Sequence, residues 1–519
     1  MQLTPRSRSV EIVTLIYAVF AAGLCSIVYE LLIATTVVYF LGDSITYFSI
    51  TIGLYMAAMG VGAFLSKYLT GDLLLPLVKA EVTLGLLGGL SVPALYLAYS
   101  HTDFFLHIYV VFTIAIGLLI GLEIPFLTRL LERYDNLRVS IAHVLTLDYL
   151  GALIATIAFP LLLLPFFGIF RSGLILGLIN MTIGLLLLWG FPQRIGKGPA
   201  ILFKGLSLLI IILIIGGLVS SQYLLARWNQ SVYSGRILYT TRTPYQEIVL
   251  TKFRDDLRLY LNGHLQFSSQ DEHRYHEALI HVPQAFLHDR PRSGLKQVLV
   301  LGGGDGMAVR ELLKYSDVGS ITLVDLDPAV IKLALENPYV RAINGNSLNS
   351  DLRVKIKIGD AFSHLKERGA LYDLIVADLP DPNNTDMARL YSREFYRLIR
   401  ANLTPGGVFV TQSTSPYYAG KAFWTIRATL SEQFAHTAAY HLLVPSFGDW
   451  GFVIASNEPL DIDKAAGNLI SDTSYLEQSV FPGLFKFGKD MIVENDEIST
   501  LDRPIILNHY LEGWRRWGR

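Results

Sequence analysis

The chain of 519 residues holds one cysteine, Cys25, so it cannot form an internal disulfide, and its cysteine usage says little about redox compartment. Excess charge is lacking too. The formal net charge is −1, which removes any electrostatic case for a nucleic-acid partner. Charge is scarce along much of the first half: residues 12–66 hold only Glu30 and Asp43, and residues 205–226 hold none. A signal-peptide cleavage site is also missing. Arg6 and Arg8 precede an apolar run that continues to about Phe40, longer than a signal core, with no small-residue site followed by soluble sequence. After Arg227 the composition becomes that of an ordinary soluble protein. A chain this long exceeds one core, so two or more domains are expected.

What the first half has is apolar length. A helix needs roughly 20 apolar residues to cross a bilayer. Seven stretches qualify: about 12–40, 45–66, 82–100, 104–127, 143–165, 172–191 and 205–226. Backbone exposed to lipid must satisfy its own hydrogen bonds, so each is expected to be a helix. Gly53, Gly60, Gly62, Gly85, Gly88 and Gly89 are small residues that permit close packing between them. The N-terminal arm and alternate loops carry Arg6, Arg8, Lys67, Lys79, Arg129, Arg133, Arg138, Arg194, Lys197 and Lys204, whereas the intervening loops carry only Arg171. The positive-inside rule puts that basic side in the cytoplasm. Glu30, Glu123 and Asp148 fall within or beside apolar runs, where acids are costly; they are functional candidates, the bland alternative being a pairing with Arg129 or a position near the interface.

From about Gln297 the pattern becomes short apolar run, turn, helix, short apolar run, which predicts a parallel sheet with crossover helices. Val298–Leu301 runs into Gly302-Gly303-Gly304-Asp305-Gly306, a turn that lets backbone approach a ligand at a helix N-terminus. The next strand, Ile321–Val324, ends in Asp325, spaced from the glycines as a carboxylate that holds a ribose diol would be. Val354–Ile358 ends in Gly359-Asp360-Ala361, suited to an adenine edge, and Asp373–Ala377 ends in Asp378-Leu379-Pro380-Asp381-Pro382. Val408–Val410 leads to Gln412. Polar groups therefore recur on one edge, where open parallel sheets bind ligands; the bland alternative is a row of solvated helix caps. His276-Glu277 followed by His281 misses the zinc-protease spacing by one residue, so no metal site is expected. The pair Asp378 and Asp381 better suits a cationic substrate.

These residues resemble the spermidine synthase, or polyamine aminopropyltransferase, family over about Tyr245 to Phe452. The motifs that carry the resemblance are Tyr245-Gln246-Glu247-Ile248, Leu261-Asn262-Gly263, Asp271-Glu272 with Tyr275-His276-Glu277, the glycine turn, Gly359-Asp360-Ala361, Asp378-Leu379-Pro380-Asp381-Pro382 and Val444-Pro445-Ser446-Phe447-Gly448. With the apolar half, the chain is similar to the bacterial membrane-bound members, whose place is the cell (inner) membrane. The organisation expected is a bundle of about seven transmembrane helices (1–228), a β-rich subdomain (229–290), a Rossmann-like α/β domain (291–460) and a C-terminal extension (461–519). Extended segments Ile237–Thr241, Gln246–Lys252 and Arg258–Asn262 agree with the β-rich part.

The resemblance implies a donor site for decarboxylated S-adenosylmethionine lined by Gln246, His276, Gly302, Gly304, Asp305, Asp325, Asp360 and Ala361. Asp325 would take the ribose hydroxyls and Asp360 the adenine amine. It implies a diamine site of Tyr275, Asp378, Asp381 and Gln412, with Asp378 catalytic. It further implies putrescine as acceptor, spermidine and methylthioadenosine as products, assembly into dimers or tetramers, and no resident cofactor.

The chain departs from the family in two places. In a shortened loop Phe447 lies nearest to where a tyrosine is usual, and the usual entry motif containing tryptophan has no clear match, Trp228 being a poor candidate. The tail around Asn508–Trp517 is expected to pack on the catalytic domain rather than lie on a bilayer. Rival readings are an S-adenosylmethionine methyltransferase, which shares the sheet and glycine turn, and a polyamine transporter or sensor whose soluble domain binds without reacting. Seven crossings with a cytoplasmic basic side put the C-terminal half outside, yet the implied donor is made in the cytosol. A cytosolic catalytic face is the expectation adopted, and it requires either the crossing count or the charge rule to fail by one crossing.

Overall fold

The computed structural model of the protein describes residues 5–41, 44–287, 294–367, 369 and 371–517; Asp43 and the side chain of Arg6 fall outside that description. The chain forms two compact units, Met1–Val232 and Tyr233–Arg519.

The first unit is helical: α1 Pro5–Leu41, α2 Ser44–Leu65, α3 Leu74–His101, α4 Phe105–Leu131, α5 Leu137–Ala158, α6 Gly168–Gly190 and α7 Lys197–Val232. Among the described residues, six helical segments are long and apolar enough to cross a membrane. The fifth and sixth predicted stretches run together in one of them, Leu137–Gly190, of 54 residues. A straight helix of that length would measure about 80 Å, far more than a hydrocarbon core of about 30 Å. It is not straight. A π-helical turn at Phe159–Phe167 containing Pro165, then Gly168 with φ of 70°, interrupts the ladder.

Contacts with α1 trace its course. Tyr134, just before α5, donates its hydroxyl to Glu11 near the start of α1. Gly190, at the end of α6, packs against Thr14. Between them, Phe170 lies edge-on to Tyr96, which meets Phe40 at the far end of α1. The segment therefore runs out and back.

The two ends of the bundle differ in chemistry. One end carries Arg194 and Arg133 on Asp72, and Arg129 donating to the carbonyls of Ser66 and Leu69. The other is aromatic: Phe40 stacks on Tyr99, and Trp228 near the end of α7 donates to the carbonyl of Tyr96. Arg129 thus pairs with carbonyls rather than with an intramembrane acid. Glu123 is instead buried inside the bundle, as is Glu81, which accepts from Asn180; Asn180 in turn accepts from Tyr29.

The second unit opens with a four-stranded antiparallel sheet in sequential order: β1 Arg236–Arg242, β2 Glu247–Phe253, β3 Asp256–Leu261 and β4 His264–Ser268. Three of these were read from the sequence; β4 was not. Helix α8, Glu272–Leu287, follows. The main sheet comprises β5 Lys296–Gly302, β6 Val318–Asp325, β7 Val354–Ile358, β8 Tyr372–Asp378, β9 Leu403–Gln412, β10 His436–Val444 and β11 Gly448–Ser456, in the order β10-β11-β9-β8-β5-β6-β7. Strands β5 to β9 are parallel, and β10–β11 is an antiparallel hairpin on one edge.

Alternate residues of β5 feed two cores. Val298 and Val300 face one cluster, and Leu299 and Leu301 the other, as expected for a strand buried on both faces. Strand order reverses between β5 and β8, so a crevice opens at their C-terminal ends. The glycine turn leaves β5 at that crevice, and Asp378 ends β8 beside it.

Candidate active site

The glycine turn is shaped by what lies against it. Gly302 has φ of +78°, and a Cβ there would lie 2.0 Å from the carbonyl oxygen of Asp378. A Cβ on Gly304 would lie 2.5 Å from Asp325 Oδ2. Only glycine lets the turn nest between these two strand ends. The Gly304 amide instead donates to Asp325 Oδ2 at 3.0 Å, and the Asp327 amide donates to Asp325 Oδ1 at 2.9 Å. Asp325 is thereby pinned beside the turn. Burial pushes its carboxyl up to about 6 against the pull of those two amides. Asp305 accepts from the Met307 amide within the turn.

Gln246 reaches the same end of the sheet. Its Nε2 donates to Asp327 Oδ2 at 3.1 Å, and Thr243 donates to the same oxygen at 2.8 Å. Asp327 also caps helix Pro328–Glu336. Sequence reasoning missed it, although an acid directly before proline at a helix start is a legible cap. Asp360 likewise caps helix Ala361–Lys366 and pairs with Arg389 at 2.5 Å. The bland helix-cap reading therefore holds for Asp360 as a contact.

Motif residues on and before α8 act as struts. Asp271 accepts from the amide and hydroxyl of Ser446, tying the Val444–Gly448 loop to the start of the helix. Glu272 takes Arg310 at 2.8 Å and His276 at 2.7 Å. Burial opposes charge on His276, but the Glu272 carboxylate outweighs it and lifts the imidazole to about 9. Burial acts against Glu272 as well, yet His276 and Arg310 hold its carboxyl down to about 2. Glu277 accepts the amides of Ser474, Tyr475 and Leu476, and His281 pairs with Glu311. Both are thus engaged away from the crevice.

On the other side of the turn stand the two acids. Tyr275 donates its hydroxyl to Asp378 Oδ1 at 2.6 Å. Gln412 Nε2 donates to Asp381 Oδ1 at 3.2 Å and to the Leu379 carbonyl at 2.7 Å, and Thr414 donates to Asp381 Oδ2 at 3.3 Å. Thr414 reaches it with φ of 57°, a conformation that costs a β-branched residue about 1–3 kcal/mol. Burial pushes Asp378 up to about 6, against the pull of His276 and Tyr275 and with a push from Asp305. Burial likewise lifts Asp381 to about 6, against the pull of Gln412 and of its other polar neighbours.

Tyr275, Asp378, Asp381 and Gln412 therefore form one connected group, with His276 and Asp305 close enough to act electrostatically on Asp378. Tyr391, unread in the sequence, joins it by accepting from Gln412 at 2.6 Å and donating to the Pro380 carbonyl at 2.9 Å. Phe447 packs edge-on to Tyr275 and offers no hydroxyl. The tail does pack on this unit: helix Ile505–Arg515 lies against helix Gly420–Ser431, with His509 on Thr425.

Such a crevice can hold a nucleoside against the glycine turn and a cation against the two acids. Residues 272–464 match the spermine/spermidine synthase domain family. The chain is 39% identical over 492 residues to a polyamine aminopropyltransferase of Leptospira interrogans, covering 95% of this chain and 97% of that one. It is 39% identical over 504 residues to the polyamine aminopropyltransferase of Oceanobacillus iheyensis, covering 95% and 96%. A crystal structure of spermidine synthase in complex with the transition-state analogue AdoDATO is similar at 27% identity and a TM-score of 0.43, over 49% of this chain and 86% of that one. Matched along nearly its whole length, apolar half included, the chain belongs to the polyamine aminopropyltransferase family.

Proposed function

We propose that the protein transfers the aminopropyl group of decarboxylated S-adenosylmethionine to putrescine, yielding spermidine and methylthioadenosine. The observation that carries this reading is the Tyr275–Asp378 hydrogen bond beside the glycine turn, with Asp381 on the same loop. In this reading Asp325 takes the ribose, and Gly302, Gly304, Asp305, Gln246, His276, Asp360 and Ala361 line the rest of the donor site.

The acceptor nitrogen attacks the methylene next to the sulfonium. The N–C bond forms as the C–S bond breaks, and its electron pair leaves on sulfur as methylthioadenosine. The attacking ammonium must lose a proton. With an amine pKa near 10, that costs about 4 kcal/mol at pH 7. Asp378, lifted to about 6, is a better proton acceptor than an ordinary aspartate, and Tyr275 fixes the oxygen it presents. Asp381 and Gln412 hold the distal ammonium. Alignment of nitrogen, methylene and sulfur supplies much of the remaining acceleration.

The reading extends to the whole chain. The helical unit crosses the cell membrane seven times, with Leu137–Gly190 counted as two passes, and the catalytic half faces the cytosol, where the donor is made. Copies assemble through the β1–β4 sheet, whose outer strands β1 and β4 each pair on one side only in the strand order given. Purified full-length protein in detergent, given decarboxylated S-adenosylmethionine and a panel of amines, should release methylthioadenosine and the aminopropylated amine. Methyl transfer from S-adenosylmethionine with no aminopropyl transfer would defeat the proposal.

A further inference from the structure

The two acceptor acids are joined by a short loop whose middle carbonyls share one clasp. Gln412 is buried at the end of β9, and its Nε2 has three acceptors in reach: the Tyr391 hydroxyl at 2.6 Å, the Leu379 carbonyl at 2.7 Å and Asp381 Oδ1 at 3.2 Å. The side-chain amide cannot turn round, because its Oε1 accepts from the Thr414 backbone amide at 2.9 Å, and a backbone N–H can only donate. An amide nitrogen of this kind carries two hydrogens, so the three acceptors are not all served at once. The two shorter contacts go to Tyr391 and Leu379, and Asp381 is left with the longest.

The Tyr391 hydroxyl is oriented for that part. A phenol has one hydrogen to donate. Here it goes to the Pro380 carbonyl at 2.9 Å, with the Leu379 carbonyl a poorer acceptor at 3.4 Å, so a lone pair of the oxygen faces the Gln412 N–H. The side chain is fully buried and comes from the short helical turn Arg389–Tyr391. That turn is anchored at both ends. Arg389 pairs with Asp360 at 2.5 Å, and Ser392, the next residue, caps helix Arg393–Ala401. The hydroxyl therefore has little freedom to leave Gln412.

We propose that Tyr391 is a positioning residue of the acceptor site: it holds the Gln412 amide on the loop carbonyls and off Asp381, which leaves that carboxylate to the distal ammonium of the amine. This deepens the aminopropyltransferase reading and rests on it. Without the hydroxyl, the released N–H turns to Asp381, and a charged acceptor holds such a donor more strongly than a neutral one does. The ammonium must then compete with it.

The test is Tyr391→Phe in the full-length chain, with amine and donor kinetics measured separately. Phe keeps the ring in its seat and removes only the oxygen. The putrescine KM should rise about fivefold, the weight of one ordinary hydrogen bond, while kcat and the donor KM stay within about twofold. In a Gln412→Ala background no N–H is left to divert, so adding Tyr391→Phe should move the putrescine KM by less than about twofold. A tyrosine that only supported the fold would act equally in both backgrounds. That result, or an unchanged putrescine KM in the single variant, overturns the proposal. Difluorotyrosine placed at 391 keeps the ring and the hydroxyl but weakens the oxygen as an acceptor, so it tests the same bond should Tyr391→Phe misfold. It should raise the putrescine KM about twofold, and no rise overturns the proposal. Calorimetric binding of putrescine, with methylthioadenosine filling the donor site, separates the proposal from the reaction. Wild-type protein that binds but does not react sinks the reaction, while weaker binding by Tyr391→Phe keeps the positioning role. Equal binding by both proteins sinks the positioning role, and no binding by either sinks both.

Discussion

Asp378 is a carboxylate kept in an environment that does not favour its charge. Its folded-state pKa of about 6 lies above the usual 3.8, so the folded protein holds that proton more tightly than the unfolded chain does. Stability is therefore lost as pH rises through 6, by up to about 3 kcal/mol at 1.36 kcal/mol per unit. Asn carries no charge and still accepts from Tyr275. Asp378→Asn should lower turnover at least about a thousandfold while melting higher than wild type at pH 8, and the two melting curves should converge near pH 4. A variant that melts lower at both pH values contradicts this account. The same shifts govern substrate binding. Asp381 is also lifted to about 6, so both acids must ionise before a diamine binds well. Below pH 6, kcat/KM for the amine should fall with a slope approaching two decades per pH unit. In Asp381→Asn the slope should drop to one, as a pH profile at saturating donor would show.

At the scale of elements, two glycines of the turn make separate predictions. A methyl on Gly304 would press on Asp325, the proposed ribose acid, at 2.5 Å. Gly304→Ala should raise the donor KM about tenfold or more and leave the amine KM alone. Gly302→Ala adds a left-handed φ to a 2.0 Å clash with backbone that cannot retreat, and should fail to fold. The yield of detergent-extracted protein and circular dichroism distinguish these outcomes. The strands of the parallel sheet were legible because each is a short apolar run ending in a polar residue on one edge, and that regularity also located Asp325, Asp378 and Asp381. Apart from Asp327, whose cap before Pro328 was legible, what escaped reading had no local signature. Strand β4, His264–Ser268, is short and mostly polar. Tyr391 enters from a short helical turn carrying no motif, brought in only by tertiary packing. Asp360 was placed correctly at a strand end, but its observed bonds to Ser363 and Arg389 depend on a neighbour that spacing cannot reveal.

For the whole molecule, the course of Leu137–Gly190 sharpens the question of sidedness. In the membrane-crossing reading proposed above, an out-and-back segment makes the number of passes odd, and the chain leaves the bundle at the aromatic end marked by Phe40, Tyr99 and Trp228, opposite the end with Arg129, Arg133 and Arg194. On that reading the charge rule and a cytosolic donor disagree. The proposed cytosolic face is the one on which a pocket for an adenosyl donor would meet its ligand. A fluorescent protein fused after the last helix should therefore glow, since it matures in the cytosol, and an alkaline phosphatase fusion at the same site should stay inactive. Cys25 is buried, so a cysteine introduced at the exposed Lys197, on the basic end, reports without background. It should react with a membrane-impermeant maleimide in intact cells. Labelling blocked at Lys197→Cys together with a bright fusion would mean an even number of passes and would refute the out-and-back course. Blocked labelling with an active phosphatase would mean that the basic residues govern insertion and that the catalytic half works outside, on a donor delivered across the membrane.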